Sequence, residues 1–183
     1  MVSLAVFGGA VIIWPAIILN ELMIKSDSES YLAALTEEPL KFAAFTFLIK
    51  NRKVFDEPLD AIVYGTAISL GFAAHENYIY VYQLSGELGM LPVDMAVIRS
   101  MLSMPLHACC GAIMGYQLAK YKFSNERWAL GRALIFPILL HGIYNFQDTM
   151  FGFGFVVFFA VIYVWKLYGE AKKEQQKTIP ISC

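Results

Sequence analysis

Long apolar runs, separated by short polar segments, dominate the pattern of residues along this chain. A helix that crosses a lipid bilayer needs about 20 mostly apolar residues, and six runs reach or approach that length. They extend over residues 4–23, 39–49, 59–84, 101–119, 129–146 and 151–167, with a less regular approach to the fourth run from residue 91. The pattern predicts an all-α fold, a polytopic transmembrane helical bundle of about six spans.

The composition also favours a membrane environment. Hydrophobic residues make up 58% of the chain and charged residues 16%, whereas soluble domains carry about 25% charged residues. The mean hydropathy is +0.55, so the apolar excess must face something other than water. The net charge of −1 creates no field that attracts nucleic acid. We therefore expect the lipid bilayer as a partner and no nucleic acid.

Positive charges in the connections between the runs indicate an orientation. They cluster after the second run, between the fourth and fifth runs and after the sixth run. The clusters contain Lys50, Arg52, Lys53, Lys120, Lys122, Arg127, Lys166, Lys172, Lys173 and Lys177. Because positively charged loops stay in the cytoplasm, we expect a multi-pass protein of the cell membrane with both termini cytoplasmic. Residues 1–168 would form the transmembrane domain and residues 169–183 a cytoplasmic polar tail.

Several polar side chains lie within the predicted spans, where they are costly unless they face a cavity or each other. They are Glu37, Glu38, Lys41, His75, Glu76, Asn77, His107, His141 and Asn145. At a rise of about 1.5 Å per residue, Glu76 lies about 25 Å and His141 about 20 Å above the cytoplasmic surface. His107 lies about 9 Å below the outer surface. The four helices thus bring polar groups to a similar depth, which predicts one shared, water-accessible site in the outer leaflet.

Glutamate and histidine side chains together suit two kinds of chemistry. One glutamate and two histidines can bind a divalent metal, or they can activate a water without a metal. Each element also has a structural interpretation, since acidic residues cap helices and a single histidine often only bonds two helices. Gly111 and Gly115 form a G-x-x-x-G pattern that favours close helix packing. These separate interpretations do not explain why the polar residues of four helices lie at a similar depth in the membrane.

Four motifs in this sequence resemble those of the PrsW family of intramembrane proteases. Residues 36–41 read T-E-E-P-L-K and resemble the E-E-x-x-K motif of that family. Residues 72–77, F-A-A-H-E-N, resemble F-x-x-x-E-N, and residues 141–145, H-G-I-Y-N, resemble H-x-x-x-N. Arg99 followed by His107 resembles an R…H element. In the related CAAX prenyl endopeptidases and bacteriocin-immunity-like proteases, an arginine stands at Phe42 and a histidine at Glu76, so the sequence is closer to PrsW.

The resemblance implies an endopeptidase that acts on a single-pass membrane protein, such as an anti-sigma factor, near the extracytoplasmic face. It implies that Glu37 or Glu38 activates the attacking water and that Asn145 helps to hold the oxyanion. Glu76, His107 and His141 would bind a divalent metal such as zinc, or polarise the water. Lys41, Asn77 and Arg99 would have supporting roles. His75 departs from the family pattern.

Two other functions are compatible with the same residues. A cluster of glutamate, histidine and asparagine inside a helical bundle also suits a small ion or proton transporter. Such a transporter is typically built from discontinuous helices and inverted repeats, and the sequence shows neither. A catalytically inactive protein that binds membrane partners is the third possibility. The complete set of polar residues favours the protease.

Overall fold

The computed structural model describes residues 1–50 and 52–178, and all its regular secondary structure is helical. Eight α-helices follow one another along the described chain. They are α1 (Val2–Val11), α2 (Ile13–Met23), α3 (Ala33–Leu48), α4 (Pro58–Ile79), α5 (Pro92–Met101), α6 (Ser103–Phe123), α7 (Ala129–Asn145) and α8 (Met150–Thr178). A 3₁₀ turn over Asp27–Leu32 precedes α3, and a π-helical turn over Tyr80–Leu84 extends α4. Cys183, at the end of the predicted tail, lies outside the described residues.

The helices confirm the predicted all-α bundle and lie where the apolar runs lie. Three segments are long and apolar enough to cross a membrane, namely Val2–Met23, Pro92–Phe123 and Met150–Gln176. By contrast, α3 has 16 residues and α7 has 17, which is short of the about 20 residues of a full span. The bundle is therefore established for the described residues, while the number of six crossings stays a prediction.

Prolines explain where the helices differ from the predicted runs. Pro15 has no N–H to donate to the carbonyl of Val11, and the first run is divided at Ile12 into α1 and α2. The helix α3 begins at Ala33, before the predicted start at residue 39, and continues through Pro39. The glutamates of the T-E-E-P-L-K motif, predicted to open the second span, therefore lie in the second turn of α3.

The last helix, α8, also continues beyond its predicted end at residue 167, to Thr178. Two contacts with α6 hold the extension. The Tyr116 hydroxyl donates to Glu170 Oε2 at 2.6 Å, and Lys120 forms an ion pair with Glu174. Because these partners repeat at i, i+4 on both helices, they lie on facing surfaces and favour continued helix.

The central helix is α4, which packs between α1 and α6 through small residues. Gly71 of α4 contacts the backbone of Val6, and Gly9 of α1 contacts the backbone of Ile68. On its other side, α4 meets α6 where Gly111 and Gly115 lie against backbone atoms. The structure confirms that this G-x-x-x-G pattern provides close helix packing, since the absence of side chains lets the backbones approach.

We predict that Gly115→Ala destabilises the protein by about 1–3 kcal/mol, the usual cost of forcing an extra carbon into a packed core. A Cβ atom there would lie 2.6 Å from the Ala61 carbonyl carbon and 3.0 Å from Ile62 Cα, and neither backbone atom can yield. The matched control is Gly131→Ala in α7, where a Cβ meets nothing within 4 Å. It should be neutral or stabilising by up to about 1 kcal/mol. Thermal unfolding in detergent measures both, and equal effects would contradict the packing.

Candidate active site

A cavity of about 970 Å³ opens at one end of the bundle. That end is formed by the last residues of α2, α4 and α7 and by the first residues of α3, α6 and α8. Among the polar side chains that line it are Asn20, Glu37, His75, Glu76, Arg99, His107, His141 and Asn145. The structure therefore brings most of the predicted site residues to one space. Glu38 and Lys41 lie behind its wall, both with 0% exposure.

Lys41 is the centre of the buried polar network. Its Nζ donates to Glu38 Oε1 at 2.7 Å and to His107 Nδ1 at 2.9 Å. The same ammonium lies 3.8 Å from Glu37 Oε2 and 4.3 Å from the centre of the Phe72 ring. Because an ammonium can only donate, His107 Nδ1 is the acceptor. Lys41 thereby fixes which nitrogen of His107 carries the proton.

The orientation of His141 follows from Glu38. His141 Nδ1 lies 2.9 Å from Glu38 Oε1, and a carboxylate oxygen accepts, so Nδ1 is the protonated nitrogen. The other nitrogen, Nε2, then accepts from the Asn145 side-chain amide at 3.2 Å. A second N–H of this amide donates to the Ser30 carbonyl, also at 3.2 Å. His141 thus presents the lone pair of Nε2 on the side that faces Asn145.

Glu76 is held by Arg99 and His107. Arg99 Nη2 donates to Glu76 Oε2 at 2.5 Å, and Arg99 Nε donates to Asn77 Oδ1 at 2.6 Å. His107 Nε2 donates to the same Glu76 oxygen at 3.1 Å. The Arg99 guanidinium also lies 3.8 Å from the centre of the Tyr80 ring. Of the predicted supporting residues, Arg99 therefore contacts Glu76 directly, and Asn77 contacts Arg99.

The donor set of the site fits a divalent metal. Ligand atoms of Glu37, His107 and His141 all lie within 4.8 Å of one another. Two histidines and one carboxylate form a known zinc site with one position left for water. Glu37 Oε2 is buried and has no hydrogen-bond partner among the described residues. Each histidine has its one lone pair occupied, so His107 must release Lys41 and His141 must release Asn145 before either binds a metal.

This set differs by one residue from the predicted metal ligands Glu76, His107 and His141. Glu37 takes the place of Glu76, whose Oε2 is engaged by Arg99 and His107. The sequence places Glu37 and Glu76 at a similar depth but carries no signal for which of them turns toward both histidines. That choice depends on the position of Arg99, which α5 brings against the end of α4.

Sequence reasoning missed Asn20 and did not explain His75. Asn20 Nδ2 donates to Glu37 Oε1 at 3.2 Å, and its Oδ1 accepts from the Thr36 hydroxyl. A single asparagine within the first apolar run was the available signal, because such a residue in a span usually has a polar partner. His75 Nδ1 donates to the Ala10 carbonyl at 3.0 Å. It joins α4 to α1 near the interruption of the first run.

Comparison with known proteins gives consistent matches. A family model described as "PrsW family intramembrane metalloprotease" matches residues 1–172. Protease PrsW of Clostridioides difficile (strain 630) is 33% identical over 142 residues, which cover 74% of this chain and 58% of that protein. Protease PrsW of Oceanobacillus iheyensis is 35% identical over 151 residues, covering 80% of this chain and 66% of that protein.

A further relative is Protease PrsW of Bacillus subtilis (strain 168), which is 34% identical over 160 residues, or 81% of this chain and 70% of that protein. No solved structure matches the chain. The chain spans 58% and 66% of the lengths of the first two relatives, so the likeness covers part of each.

We predict that Lys41→Met destabilises the protein by about 3–5 kcal/mol, because it leaves the Glu38 carboxylate buried without its cation. The double variant Lys41→Met with Glu38→Gln should regain part of that loss. Lys166→Met is the control, since this lysine is 71% exposed and its ion pair with Glu170 is 4.0 Å long. It should change stability by less than about 0.5 kcal/mol. Thermal unfolding in detergent measures all three, and a stable Lys41→Met variant would contradict the role of the buried pair.

Proposed function

Because the chain belongs to the PrsW family of intramembrane metalloproteases, we propose that it hydrolyses a peptide bond of a membrane-anchored protein. The observation that carries the proposal is the unpartnered Glu37 Oε2, which is buried beside His107 and His141 in a cavity open at one end of the bundle. Peptide hydrolysis needs an activated water and a stabilised oxyanion. The residues around this cavity can supply both.

We assign water activation to Glu37 and a positioning role to Glu38. Glu37 lines the cavity, whereas Glu38 has 0% exposure and contacts Lys41 and His141 behind it. A general base must reach the proton that it removes, and of the two carboxylates only Glu37 lines the cavity that a water can enter. Glu38 accepts from His141 Nδ1 and thereby fixes the ring, as a carboxylate does behind a metal-binding histidine.

Glu37, His107 and His141 would hold a divalent metal such as zinc, in which case Glu37 acts on the water as a ligand of that metal, whereas without a metal it acts as the general base. When bound, such a metal polarises the scissile carbonyl and makes a water more acidic. The residues around it orient the histidines and stabilise the developing oxyanion. Glu38 keeps His141 in the tautomer whose Nε2 lone pair can bind the metal, whereas His107 would bind it on releasing Lys41. Asn145 lines the cavity beside His141, and we propose that the N–H it now donates to His141 Nε2 turns to the developing oxyanion once that nitrogen binds the metal.

The substrate that we propose is a single-pass membrane protein, such as an anti-sigma factor, cut near the extracytoplasmic face. The cavity opens at one end of the bundle, and the cationic residues Lys50, Lys120 and Lys122 lie at the other. There Lys122 contacts the Phe55 carbonyl, and Lys50 lies over the Tyr121 ring. Because positive loops remain cytoplasmic, the cavity faces outward and both termini lie in the cytoplasm.

We predict that Glu37→Gln lowers cleavage of a co-expressed single-pass anti-sigma factor by about 10²–10⁴-fold, the usual contribution of a general base. The amide cannot accept the proton, yet it keeps the size of the side chain. Glu87→Gln, in the exposed connection before α5, is the matched control and should cleave normally. Undiminished cleavage by Glu37→Gln would contradict the assignment. Loss of ion flux in reconstituted vesicles, with cleavage intact, would support a transporter instead.

We also predict the orientation of the chain. In a Cys183→Ser background, the Glu87→Cys variant should react with an impermeant thiol reagent added outside intact cells. The Ser124→Cys variant should react only after the cells are opened, because Ser124 lies between α6 and α7 at the cationic end of the bundle. Cys109 and Cys110 are buried and give no background labelling. The reverse pattern would show that the cavity faces the cytoplasm.

A further inference from the structure

Asn20 extends the polar site into α2, a helix that contributes no residue to the reaction proposed above. Its Nδ2 donates to Glu37 Oε1 at 3.2 Å, and its Oδ1 accepts from the Thr36 hydroxyl. The side chain lines the same cavity as Glu37. Because a carboxylate only accepts and the hydroxyl can donate, these two partners fix which end of the amide faces Glu37.

The Asn20 amide makes the one hydrogen bond to the Glu37 carboxylate among the residues that the structure describes. The other groups near this carboxylate are more distant. Lys41 Nζ lies 3.8 Å and His141 Nδ1 3.9 Å from Glu37 Oε2, and both separations exceed hydrogen-bond length. Asn20 therefore holds one carboxylate oxygen, while the second oxygen is buried without a partner.

We infer that Asn20 is a positioning residue that holds Glu37 so that Oε2 faces the space shared with His107 and His141. Without this hydrogen bond, the flexible Glu37 side chain would close the gap to Lys41 and pair with its ammonium. The carboxylate would then be withdrawn from the water or metal. This inference rests on the proposed function and deepens it, because it makes α2 a part of the active site.

Thr36 has a matching part in this arrangement. Its hydroxyl lies one residue before Glu37 in α3 and contacts Asn20 Oδ1 from the same helix that carries the glutamate. The same hydroxyl lies 2.8 Å from the Ala33 carbonyl. Loss of the hydroxyl would leave Asn20 Oδ1 without this donor and hold the amide less firmly against the carboxylate. Thr36 thus acts on Glu37 through Asn20.

The test uses the purified full chain in detergent, with four variants. Asn20→Leu removes both hydrogen bonds and keeps the same number and branching of side-chain heavy atoms. Thr36→Val removes only the hydroxyl, and Thr36→Ser keeps it. Thr46→Val is the matched control, because this second threonine of α3 has a buried hydroxyl with no hydrogen-bond partner in the described part of the chain. Zinc affinity is measured by competition with a chromophoric chelator, and kcat and KM are measured with the anti-sigma factor substrate.

Asn20→Leu should lower zinc affinity and kcat by about 10–100-fold, the usual effect of removing an outer partner of a ligand. KM should stay within about twofold of the wild type, because the role inferred for Asn20 is to hold Glu37 and not to bind the peptide. Thr36→Val should show a smaller loss of the same two quantities, and Thr36→Ser should restore them. Thr46→Val should match the wild type. A merely structural role of Asn20 would lower the unfolding temperature and leave zinc affinity unchanged in the folded fraction.

Three results separate the failure of this inference from the failure of the proposed function. Wild-type zinc affinity and kcat in Asn20→Leu would overturn the positioning role, while inactivity of Glu37→Gln would still support the protease. A wild-type chain that neither binds zinc nor cleaves would overturn the proposed function and the inference with it. If Asn20→Leu does not fold, the inference is tested by comparing Thr36→Val with Thr36→Ser. Equal zinc affinity and equal kcat in these two variants would overturn the inference.

Discussion

The structure of the site depends on one buried cation, the ammonium of Lys41. A charge without exposure to water is tolerated only when good partners surround it, and here the partners are Glu38 Oε1 at 2.7 Å and His107 Nδ1 at 2.9 Å. Glu38 in turn accepts from His141. Three helices, α3, α6 and α7, are joined by these contacts, so neither histidine can turn without leaving a buried polar group unpaired. The ion pair therefore sets both tautomers and leaves Glu37, the neighbouring carboxylate, free to face the cavity.

The glycine contacts of α4 position this network within the membrane protein. Because Gly65, Gly111 and Gly115 let α4 and α6 approach through their backbones, Glu76 of α4 comes within 3.1 Å of His107 of α6. Arg99 closes the same side by binding Glu76 and Asn77. A PrsW-family chain thus arranges its proposed catalytic residues at one end of the bundle, with tight helix packing beneath them and an open cavity above.

Much of this arrangement could be predicted from the sequence, because polar residues in apolar runs must face a cavity or pair with each other. Matched depths placed Glu37, His107, His141 and Asn145 in one site, and G-x-x-x-G predicted the α4–α6 contact. The interruption at Ile12 and the early start of α3 were missed, since proline within an apolar run gives no sign of whether a helix breaks or continues. The choice of Glu37 over Glu76, and the part of Asn20, depend on side-chain directions that three packed helices set together.

Zinc K-edge X-ray absorption of the purified protein, loaded with one equivalent of zinc, tests the central claim most directly. The claim is that Glu37, His107 and His141 form one metal site beneath the cavity. The spectrum should show two imidazole ligands and oxygen donors at about 2.0–2.2 Å, with no sulfur. One imidazole should be lost in His107→Ala and one in His141→Ala. A zinc–sulfur distance of about 2.3 Å, or a spectrum without imidazole, would contradict the site.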